Sequence, residues 1–416
     1  MTKTDNPLAS KALALVWIGI GAADPSLAVN AAMPSVIADP PRSGGSWRII
    51  AVGKAARAMA MTAMKQLPDA QTLIVTNAGN DAPLMRAEVL RAGHPVPDED
   101  GAQAARRVAE RLAESRPADR ILALISGGGS AMLPAPVEGV TLTEKQEVNR
   151  LLLASGADIR ETNLIRQALS RLKGGGWLRQ GPAPITALIL SDVPGDDLRV
   201  VASGPTVAPI GTIAEAARTA RALEIWDRLP DAVRAALSRS DDRGDLPEAR
   251  NILVGSNRHS VQAMVAAGGC DGAVPLEGDV EDCARVLVAA ARQARPGVPL
   301  VFGGETTVRL TGKGMGGRNQ ELALRFARAA AEGGLKGDWC FASVGSDGRD
   351  GPGEAAGGIV DPGTLTRIEA AGIDLDRVLA DNDSTPALAA AGGLVQTGPT
   401  GTNVADLAVF LRGAEI

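Results

Sequence analysis

The sequence contains very few aromatic, cysteine and histidine residues. Its 416 residues include no Tyr, 4 Phe, 5 Trp, 3 Cys and 2 His. The cysteines, Cys270, Cys283 and Cys340, form no CxxC pair, which argues against a zinc site and indicates a reducing, cytoplasmic compartment. With so few aromatic rings, the core must consist mainly of Ala, Val, Leu and Ile, and the 49 Gly predict many tight turns.

Several common functional signatures are also missing. The net charge is −5 and no long basic stretch is present, so nucleic acid is not an expected partner. No G-x-x-x-x-G-K-[ST] loop is present, which excludes a P-loop kinase. Without a G-x-S-x-G elbow, and with only two histidines, a Ser-His-Asp hydrolase is a poor candidate.

The longest apolar run near the start, residues 12–20, is too short for a membrane span of about 20 residues. It follows Lys11 and precedes small residues, so a signal peptide is one interpretation. Asp5 disrupts the basic leader that a signal peptide needs, and an ordinary helix ending before Pro25 is the preferred interpretation. We therefore expect no membrane partner.

Short apolar runs, glycine turns and Ala-rich helical stretches alternate along the chain. This order predicts a parallel sheet with helices on both faces. The expected fold is α/β with two domains: a Rossmann-like three-layer α/β/α domain over residues 1–240 and a smaller α/β domain over 298–412. Residues 241–297 are a connection without a firm assignment. Within the second domain, residues 298–302 and 306–310 read as the strands of a hairpin.

Polar turns follow four of the predicted strands. They are Gly53-Lys54, the stretch 126–130, the stretch 191–197, and 255–257. Ligands of open parallel sheets bind beyond the carboxyl ends of the strands, so these turns should share one edge. Backbone N–H groups in glycine turns bind anions, which predicts a phosphate or carboxylate ligand.

Carboxylates are concentrated in two of the turns. Asp192, Asp196 and Asp197 lie within 191–197, and Asp347 and Asp350 follow a later strand. Mg²⁺ takes one or two carboxylates together with substrate phosphates, so either turn is a candidate metal site. A solvated turn without chemistry is the alternative for both.

A glycine-rich stretch, GKGMGG at 312–317, precedes a predicted helix that begins at Arg318. Its spacing matches GxGxxG, but no acidic residue stands about 20 positions later at a second strand end, so a dinucleotide site is not favoured. A loop facing phosphate, with Arg318 as a bidentate ligand, fits better. The stretch 381–384 is interpreted as a helix N-cap without chemistry.

A series of motifs resembles the class II glycerate 2-kinases, which have an N-terminal glycerate kinase domain and a C-terminal MOFRL domain. The resemblance extends from about residue 8 to residue 412, and members often carry the label hydroxypyruvate reductase. The motifs that carry it are AVGKAA at 51–56, SGGGSA at 126–131, LKGGG at 172–176, SDVPGD at 191–196, ASGPT at 202–206, GGET at 303–306, GGRNQE at 316–321, GSDG at 345–348 and TGTN at 400–403.

The resemblance implies that ATP phosphorylates D-glycerate to 2-phosphoglycerate with Mg²⁺, in a cleft between two domains. The family's catalytic lysine, aspartate and arginine correspond to Lys54, Asp192 and Arg318. Whether Asp192 binds metal or acts as the base stays open, and a homodimer is one option for assembly. The residues expected to bind nucleotide or glycerate are Gly53, Ser126, Gly127, Gly128, Gly129, Ser130, Lys173, Gly174, Gly175, Asn257, Glu305, Gly316 and Gly317. Those expected at the metal are Asp192, Asp196 and Asp347.

Two other functions remain as alternatives. An NAD(P)H-dependent hydroxypyruvate reductase would bind pyrophosphate at 312–317. A non-catalytic, exported binding protein with two α/β lobes would require the signal-peptide interpretation of residues 12–20.

Overall fold

The computed structural model describes residues 6–241 and 244–413. By their internal contacts the residues form two compact units. One, here the inserted unit, comprises residues 25–254. The other, the flanking unit, combines residues 1–24 with 255–416. The chain thus passes from the flanking unit into the inserted unit and back. Among the described residues no single helix is long and apolar enough to cross a membrane, although the first two helices taken together reach that length and composition across a bend.

A six-stranded sheet forms the centre of the inserted unit, with strand order β3-β2-β1-β4-β5-β6. The registers of β1 with β2 and β4, of β2 with β3, and of β4 with β5 are all parallel. The expected parallel sheet is therefore confirmed, and its order is that of a Rossmann fold. The strands are β1 Trp47–Val52, β2 Gln71–Thr76, β3 Ala87–Arg91, β4 Arg120–Ile125, β5 Ile185–Leu190 and β6 Arg250–Gly255.

Helices cover both faces of this sheet. Ile50 and Val52 of β1 pack with Val108 and Leu112 of the fourth helix on one face. The second and third helices pack against the strands on the other face. The sixth to ninth helices bury a second apolar cluster of their own, around Leu151 and Ile165. The helices of this unit are α2 Pro25–Ile37, α3 Ala56–Gln66, α4 Glu99–Ala113, α5 Gly129–Met132, α6 Leu142–Ser155, α7 Ile159–Ala168, α8 Ile213–Ala222 and α9 Asp231–Leu237.

The flanking unit has a mixed six-stranded sheet, in the order β11-β10-β9-β12-β8-β7. Strand β12 is antiparallel to both of its neighbours, β8 and β9. The strands are β7 Cys270–Asp271, β8 Leu300–Gly304, β9 Trp339–Gly345, β10 Gly357–Val360, β11 Leu394–Val395 and β12 Asp406–Arg412. The helices are α1 Pro7–Ala22, α10 Asn257–Ala266, α11 Val280–Arg292, α12 Arg318–Glu332, α13 Thr364–Ala370, α14 Leu375–Ala380 and α15 Ser384–Ala390.

The apolar run near the start of the chain forms helix α1, as preferred from the sequence. Asn6 caps it by accepting a hydrogen bond from the N–H of Leu8. Leu15, Val16 and Ile20 are at most 5% exposed, in one cluster with Val409 of β12. Burying side chains of this size contributes about 1.5–3 kcal/mol each. The helix is thus part of the core of the flanking unit.

The prediction of a hairpin over residues 298–310 is wrong. Strand β8 pairs with β12 and β7, and no strand forms over residues 306–310. The chain after β8 instead continues beside residues 276–279, because Glu305 N donates to Leu276 O at 2.6 Å and Thr307 N donates to Gly278 O at 2.8 Å. Alternation of side chains alone does not distinguish a hairpin partner from an irregular segment held by such bonds. The stretch 241–297 provides β6 of one sheet, β7 of the other, and helices α10 and α11.

Candidate active site

Strands β1 and β4 lie side by side, and the strand order reverses between them. At this switch point an open parallel sheet forms its ligand crevice. The turns after the two strands are tied together, because Lys54 N donates to Gly127 O at 2.9 Å and Ala55 N donates to Ser126 Oγ at 3.1 Å. Gly53 has φ +116°, and a Cβ there would lie 2.3 Å from Ser126 Oγ. Only glycine allows this approach.

The loop Gly127–Ser130 presents its backbone N–H groups without acceptors. None of these four N–H groups donates a hydrogen bond to any residue in the described part of the chain. Gly128 has φ +85°, and successive N–H groups around a left-handed residue converge to form a cradle for an anion. The predicted glycines at this position therefore have the geometry needed to bind phosphate or carboxylate oxygens.

Asp192 lies directly against this loop. It follows β5, and a Cβ on Gly127 would be 1.9 Å from Asp192 Oδ2. The absence of a side chain at Gly127 is thus what makes room for the carboxylate. Asp196, four residues later, has φ +55°, next to Gly195 with φ +77°. Asp197 forms an ion pair with Arg199 at 2.7 Å.

Lys54 is half-buried at the start of the turn, just before α3. Its ammonium makes no hydrogen bond or ion pair with any residue that the structure describes. It is nevertheless close enough to His94 to lower the pKa of that imidazole, where desolvation is the larger cause. Lys54 is thus a cation at the crevice with all three donors available.

Lys173 contacts the loop Gly127–Ser130 through Ser130. Its Nζ donates to Ser130 O at 2.6 Å and to Ser130 Oγ at 2.7 Å. Ser203 Oγ lies 2.8 Å from Ser130 Oγ and donates to Asn163 Oδ1 at 2.7 Å. Lys173 is only 5% exposed, and this desolvation, with nearby cations, holds its pKa well below the usual value.

Gly174 and Gly175 have a different use from the one expected. Their N–H groups donate to Ser203 O at 3.0 Å and to Gly204 O at 2.8 Å. Both residues have positive φ, +53° and +75°. The two glycines therefore shape the turn that holds Lys173, and these N–H groups are already engaged by the protein.

In the flanking unit, Arg318 begins α12 and is held by two carboxylates. Its Nε and Nη2 donate to Asp406 at 2.6 and 3.0 Å, and Nη1 lies 2.7 Å from Glu305 Oε1. The predicted residues Arg318 and Glu305 thus form one cluster. Of the five guanidinium N–H groups, three are engaged here, so two remain for a ligand.

Asp406, at the start of β12, is the partner that orients Arg318. The side chain is 1% exposed, and it also accepts a hydrogen bond from Asn319 Nδ2 at 2.9 Å. Burial raises the pKa of Asp406 to about 6, against the opposing effects of Arg318 and Asn319. The carboxylate is therefore ionised at neutral pH and fixes the guanidinium plane.

The N-terminus of α12 is already occupied by an acidic side chain. Asp350 accepts from the N–H groups of Asn319 at 3.0 Å and Gln320 at 2.8 Å. Gly317 allows this contact, since a Cβ there would lie 2.3 Å from the Asp350 carboxyl carbon. Asp350, for which the sequence left metal binding and turn formation open, thus acts as a cap for α12.

The glycine-rich loop before α12 packs against the segment interpreted as an N-cap. Lys313 N donates to Asp381 Oδ1 at 3.0 Å, and Met315 N donates to Asp383 Oδ1 at 2.7 Å. A Cβ on Gly316 would lie 2.2 Å from Ser384 Oγ. The segment 381–384 therefore holds this loop, and its glycines are explained by close packing.

The other expected residues of the flanking unit have local partners. Asn257 Nδ2 donates to Val404 O and Asp406 O, both at 2.8 Å. Asp347 Oδ1 accepts from Arg349 N at 3.0 Å. Among residues 6–241 and 244–413, no group of three or more Asp, Glu, His and Cys side chains is placed to hold a metal ion. The assignment of Asp192, Asp196 and Asp347 to a metal stays a prediction.

Sequence reasoning missed Lys145 and Arg166, which approach Lys173 from α6 and α7. A signal was available for Lys145: it falls on the same helix face as the buried Val148 and Leu152. A lysine in the apolar stripe of an amphipathic helix is unusual and indicates a special environment. Asp406 opens a strand that is apolar from Leu407 to Leu411, which is a weaker signal of the same kind.

Comparisons with known proteins identify two family models along this chain. A domain of unknown function, DUF4147, matches residues 11–238, and the MOFRL family matches residues 298–406. Glycerate 2-kinase of Pyrococcus horikoshii is 38% identical over 388 residues, covering 88% of this chain and 87% of that protein. A protein of Agrobacterium vitis that bears hydroxypyruvate reductase as a provisional name is 40% identical, covering 95% and 92%. The crystal structure of a glycerate kinase from Thermotoga maritima superimposes with a TM-score of 0.85 at 36% identity, covering 96% of this chain and 97% of that one.

Proposed function

The chain belongs to the glycerate kinase family that joins a DUF4147 domain to a MOFRL domain, and we propose that it transfers the γ-phosphoryl group of ATP to the 2-hydroxyl of D-glycerate, giving 2-phosphoglycerate. The observation that carries this proposal is the loop Gly127–Ser130 at the switch point of the sheet. Its four unengaged N–H groups lie between the Lys54 turn and the Asp192 carboxylate.

Phosphoryl transfer requires mainly positioning and neutralisation of charge. The N–H groups of 127–130 would hold phosphoryl or carboxylate oxygens, and the Lys54 ammonium would neutralise a phosphoryl oxygen. The guanidinium of Arg318, whose plane is set by Asp406, keeps two N–H groups for ligand oxygens, which fits the catalytic role that the family resemblance implies for this arginine. These groups would bind phosphate oxygens and neutralise their charge, as a Walker loop does in P-loop kinases.

Asp192 is the carboxylate that fits Mg²⁺ or the proton of the 2-hydroxyl. It adjoins the anion cradle, and Mg²⁺ characteristically uses one or two carboxylates together with phosphate oxygens. When bound, Mg²⁺ would offset charge on the phosphates. If Asp192 is instead the base, its carboxylate must reach the hydroxyl within hydrogen-bond distance.

The reductase alternative has no support from the loop at 312–317. That loop follows an irregular segment rather than a strand, its glycines at 312, 314 and 316 pack on 381–384, and the helix N-terminus behind it is filled by Asp350. A pyrophosphate site of the dinucleotide kind needs a free helix N-terminus after a strand.

Two assays on the purified protein test the proposal. In the first, D-glycerate and Mg·ATP are supplied and ADP release is followed, with enolase added to detect the product. Immediate coupling to enolase identifies 2-phosphoglycerate, whereas 3-phosphoglycerate requires a mutase first. In the second, NADH oxidation is followed with hydroxypyruvate. NADH loss without ADP release would sink the kinase proposal.

Variants then test the residues. Lys54→Ala is expected to lower kcat by roughly 10²-fold or more, within what one such electrostatic group supplies. Lys65→Ala on α3, the helix that follows Lys54, is the control, because Lys65 is exposed. For Arg318, Lys is the better replacement, since Ala would leave the buried Asp406 without a cation. Asp192→Asn should lose activity, and rescue by raised Mg²⁺ would favour the metal role.

A further inference from the structure

Three cationic side chains of the inserted unit converge on one small cavity. Lys145 from α6, Arg166 from α7 and Lys173 line a cavity of about 210 Å³. Gly128 and Ser130 of the anion cradle line it as well, and His94, which is exposed, lies at its rim. The cavity therefore opens beside the candidate active site.

The positive charges in this cavity are not neutralised by the protein. Lys145 Nζ donates to Leu169 O at 3.0 Å, which leaves two of its N–H groups. Arg166 donates through Nε to Asn149 Oδ1 at 2.8 Å, and its two Nη groups find no acceptor in the described part of the chain. No carboxylate of residues 6–241 or 244–413 lies within 4.0 Å of the nitrogens of Lys145, Arg166 or Lys173.

Such an arrangement is unfavourable when the cavity is empty. Lys145 and Lys173 are 4% and 5% exposed, and a buried ammonium without a counter-charge destabilises the fold. Desolvation, followed by the charge of Arg166, lowers the pKa of Lys145 to about 7. An anion in the cavity would reverse this, because it would accept hydrogen bonds from the unengaged N–H groups of Lys145 and Arg166 beside the charge of Lys173.

The volume of the cavity selects the kind of anion. Pockets for drug-sized ligands measure about 300–1,000 Å³, so 210 Å³ is too small for a nucleotide and suits a small acid. The shared lining residues Gly128 and Ser130 set such an acid next to the N–H groups of the cradle. An acid held here by its carboxylate would carry its 2-hydroxyl on the adjacent carbon.

We propose that the cavity of Lys145, Arg166 and Lys173 is the seat for the carboxylate of the three-carbon 2-hydroxy acid, and that it sets which hydroxyl faces the phosphoryl group. The proposal rests on the proposed function and deepens it. Lys145 and Arg166 bind the acid directly. Ser203 contacts Ser130 Oγ at 2.8 Å and accepts from Lys173 Nζ at 3.4 Å, and Asn163 in turn accepts from Ser203 Oγ at 2.7 Å, so Ser203 and Asn163 act only through Lys173 and Ser130.

The test compares ligand affinity in matched variants. Arg166→Gln is compared with Arg150→Gln, because Arg150 lies on α6 but is exposed and paired with Glu147. Lys145→Met is compared with Lys65→Met on α3. Calorimetry measures the affinity for D-glycerate and, separately, for a non-hydrolysable ATP analogue. Removing one of the cations that pair with the carboxylate inside the cavity is expected to weaken D-glycerate binding by roughly 10²-fold or more. The affinity for the ATP analogue should stay unchanged.

Glyceramide, in which an amide replaces the carboxylate, identifies the group that is bound. Wild type should bind it far more weakly than D-glycerate, and Arg166→Gln should weaken it no further. Circular dichroism and the melting temperature show whether each variant is folded. If Lys145→Met does not fold, Arg166→Gln alone decides, since its side chain is half-buried.

The outcomes separate the two proposals. Unchanged D-glycerate affinity in a folded Arg166→Gln variant would overturn the carboxylate seat, and so would a loss confined to the ATP analogue, which would assign the cavity to a nucleotide phosphate. If wild type binds D-glycerate and loses it with Arg166 but transfers no phosphoryl group, the seat stands and the kinase proposal fails. If wild type binds no D-glycerate, the seat is refuted.

Discussion

Replacing Lys145 by Met should stabilise the ligand-free protein at neutral pH while weakening its binding of the acid. The ammonium is buried without a carboxylate, and its pKa falls from 10.5 to about 7. At about 1.4 kcal/mol for each pH unit, this difference costs the wild type about 4 kcal/mol at pH 7 and about 1 kcal/mol at pH 10. The lost hydrogen bond to Leu169 O offsets about 1 kcal/mol of the gain.

The direction of the pH dependence follows from proton binding. Because the pKa of Lys145 is lower in the folded than in the unfolded chain, the unfolded chain binds more protons between pH 7 and 10.5. The stability of wild type due to this group therefore rises with pH in that window. The advantage of Lys145→Met should be about 3 kcal/mol at pH 7 and close to zero at pH 10.

Urea unfolding at both pH values measures this advantage, with Trp177 as a fluorescent probe buried in the inserted unit. Lys65→Met is the matched control, because an exposed ammonium is hydrated in both states and such substitutions change stability by about 0.5 kcal/mol or less. A Lys145→Met protein that is less stable than wild type at pH 7, or equally altered at both pH values, would refute the reasoning.

Three further outcomes are expected. Gly127→Ala should displace the Asp192 carboxylate, since the new Cβ would lie 1.9 Å from Oδ2, and lower kcat by roughly 10²-fold in steady-state kinetics; a kcat near wild type would contradict this. Burial raises the pKa of Asp406 to about 6, so wild-type kcat should fall below about pH 6 as this partner of Arg318 is protonated. The Asp406→Asn variant should lack this acid-side fall in its pH profile of kcat, and the same fall in the variant would remove Asp406 from the mechanism. Binding of D-glycerate at pH 8 should take up a proton in calorimetry across buffers of different ionisation enthalpy, with less uptake in Lys145→Met; equal uptake in both would exclude Lys145 as the group that gains the proton.

The architecture of the inserted unit was largely predictable from local sequence. Glycine turns after apolar strands indicate a parallel sheet, and the carboxyl ends of its strands share an edge. The approach of the Lys54 turn to the loop at 126–130 follows directly from that rule. The family motifs then supplied the substrate, which no local pattern contains.

The residues that were missed depend on long-range packing. Arg318 meets Asp406 across 88 positions of sequence, and their pairing requires the finished flanking sheet. Lys145 becomes a site residue only because α6 and α7 lie beside the turn that carries Lys173. The glycines at 312–317 matched a phosphate pattern, but close packing on another segment produces the same composition.

Helix α1 has a consequence for how this chain matures during synthesis. It is made before the strands β9 and β12 that cover its apolar face, and β12 ends at Arg412, about 390 residues after the end of the helix at Ala22. At about 5–20 residues per second, a ribosome takes roughly 20–80 s to complete that stretch. Throughout this interval Leu15, Val16 and Ile20 lack their partners in β12, while the whole inserted unit can fold. The growing chain thus exposes the apolar face of α1 until β12 has been made, and transiently exposed apolar surface of this kind is what chaperones bind.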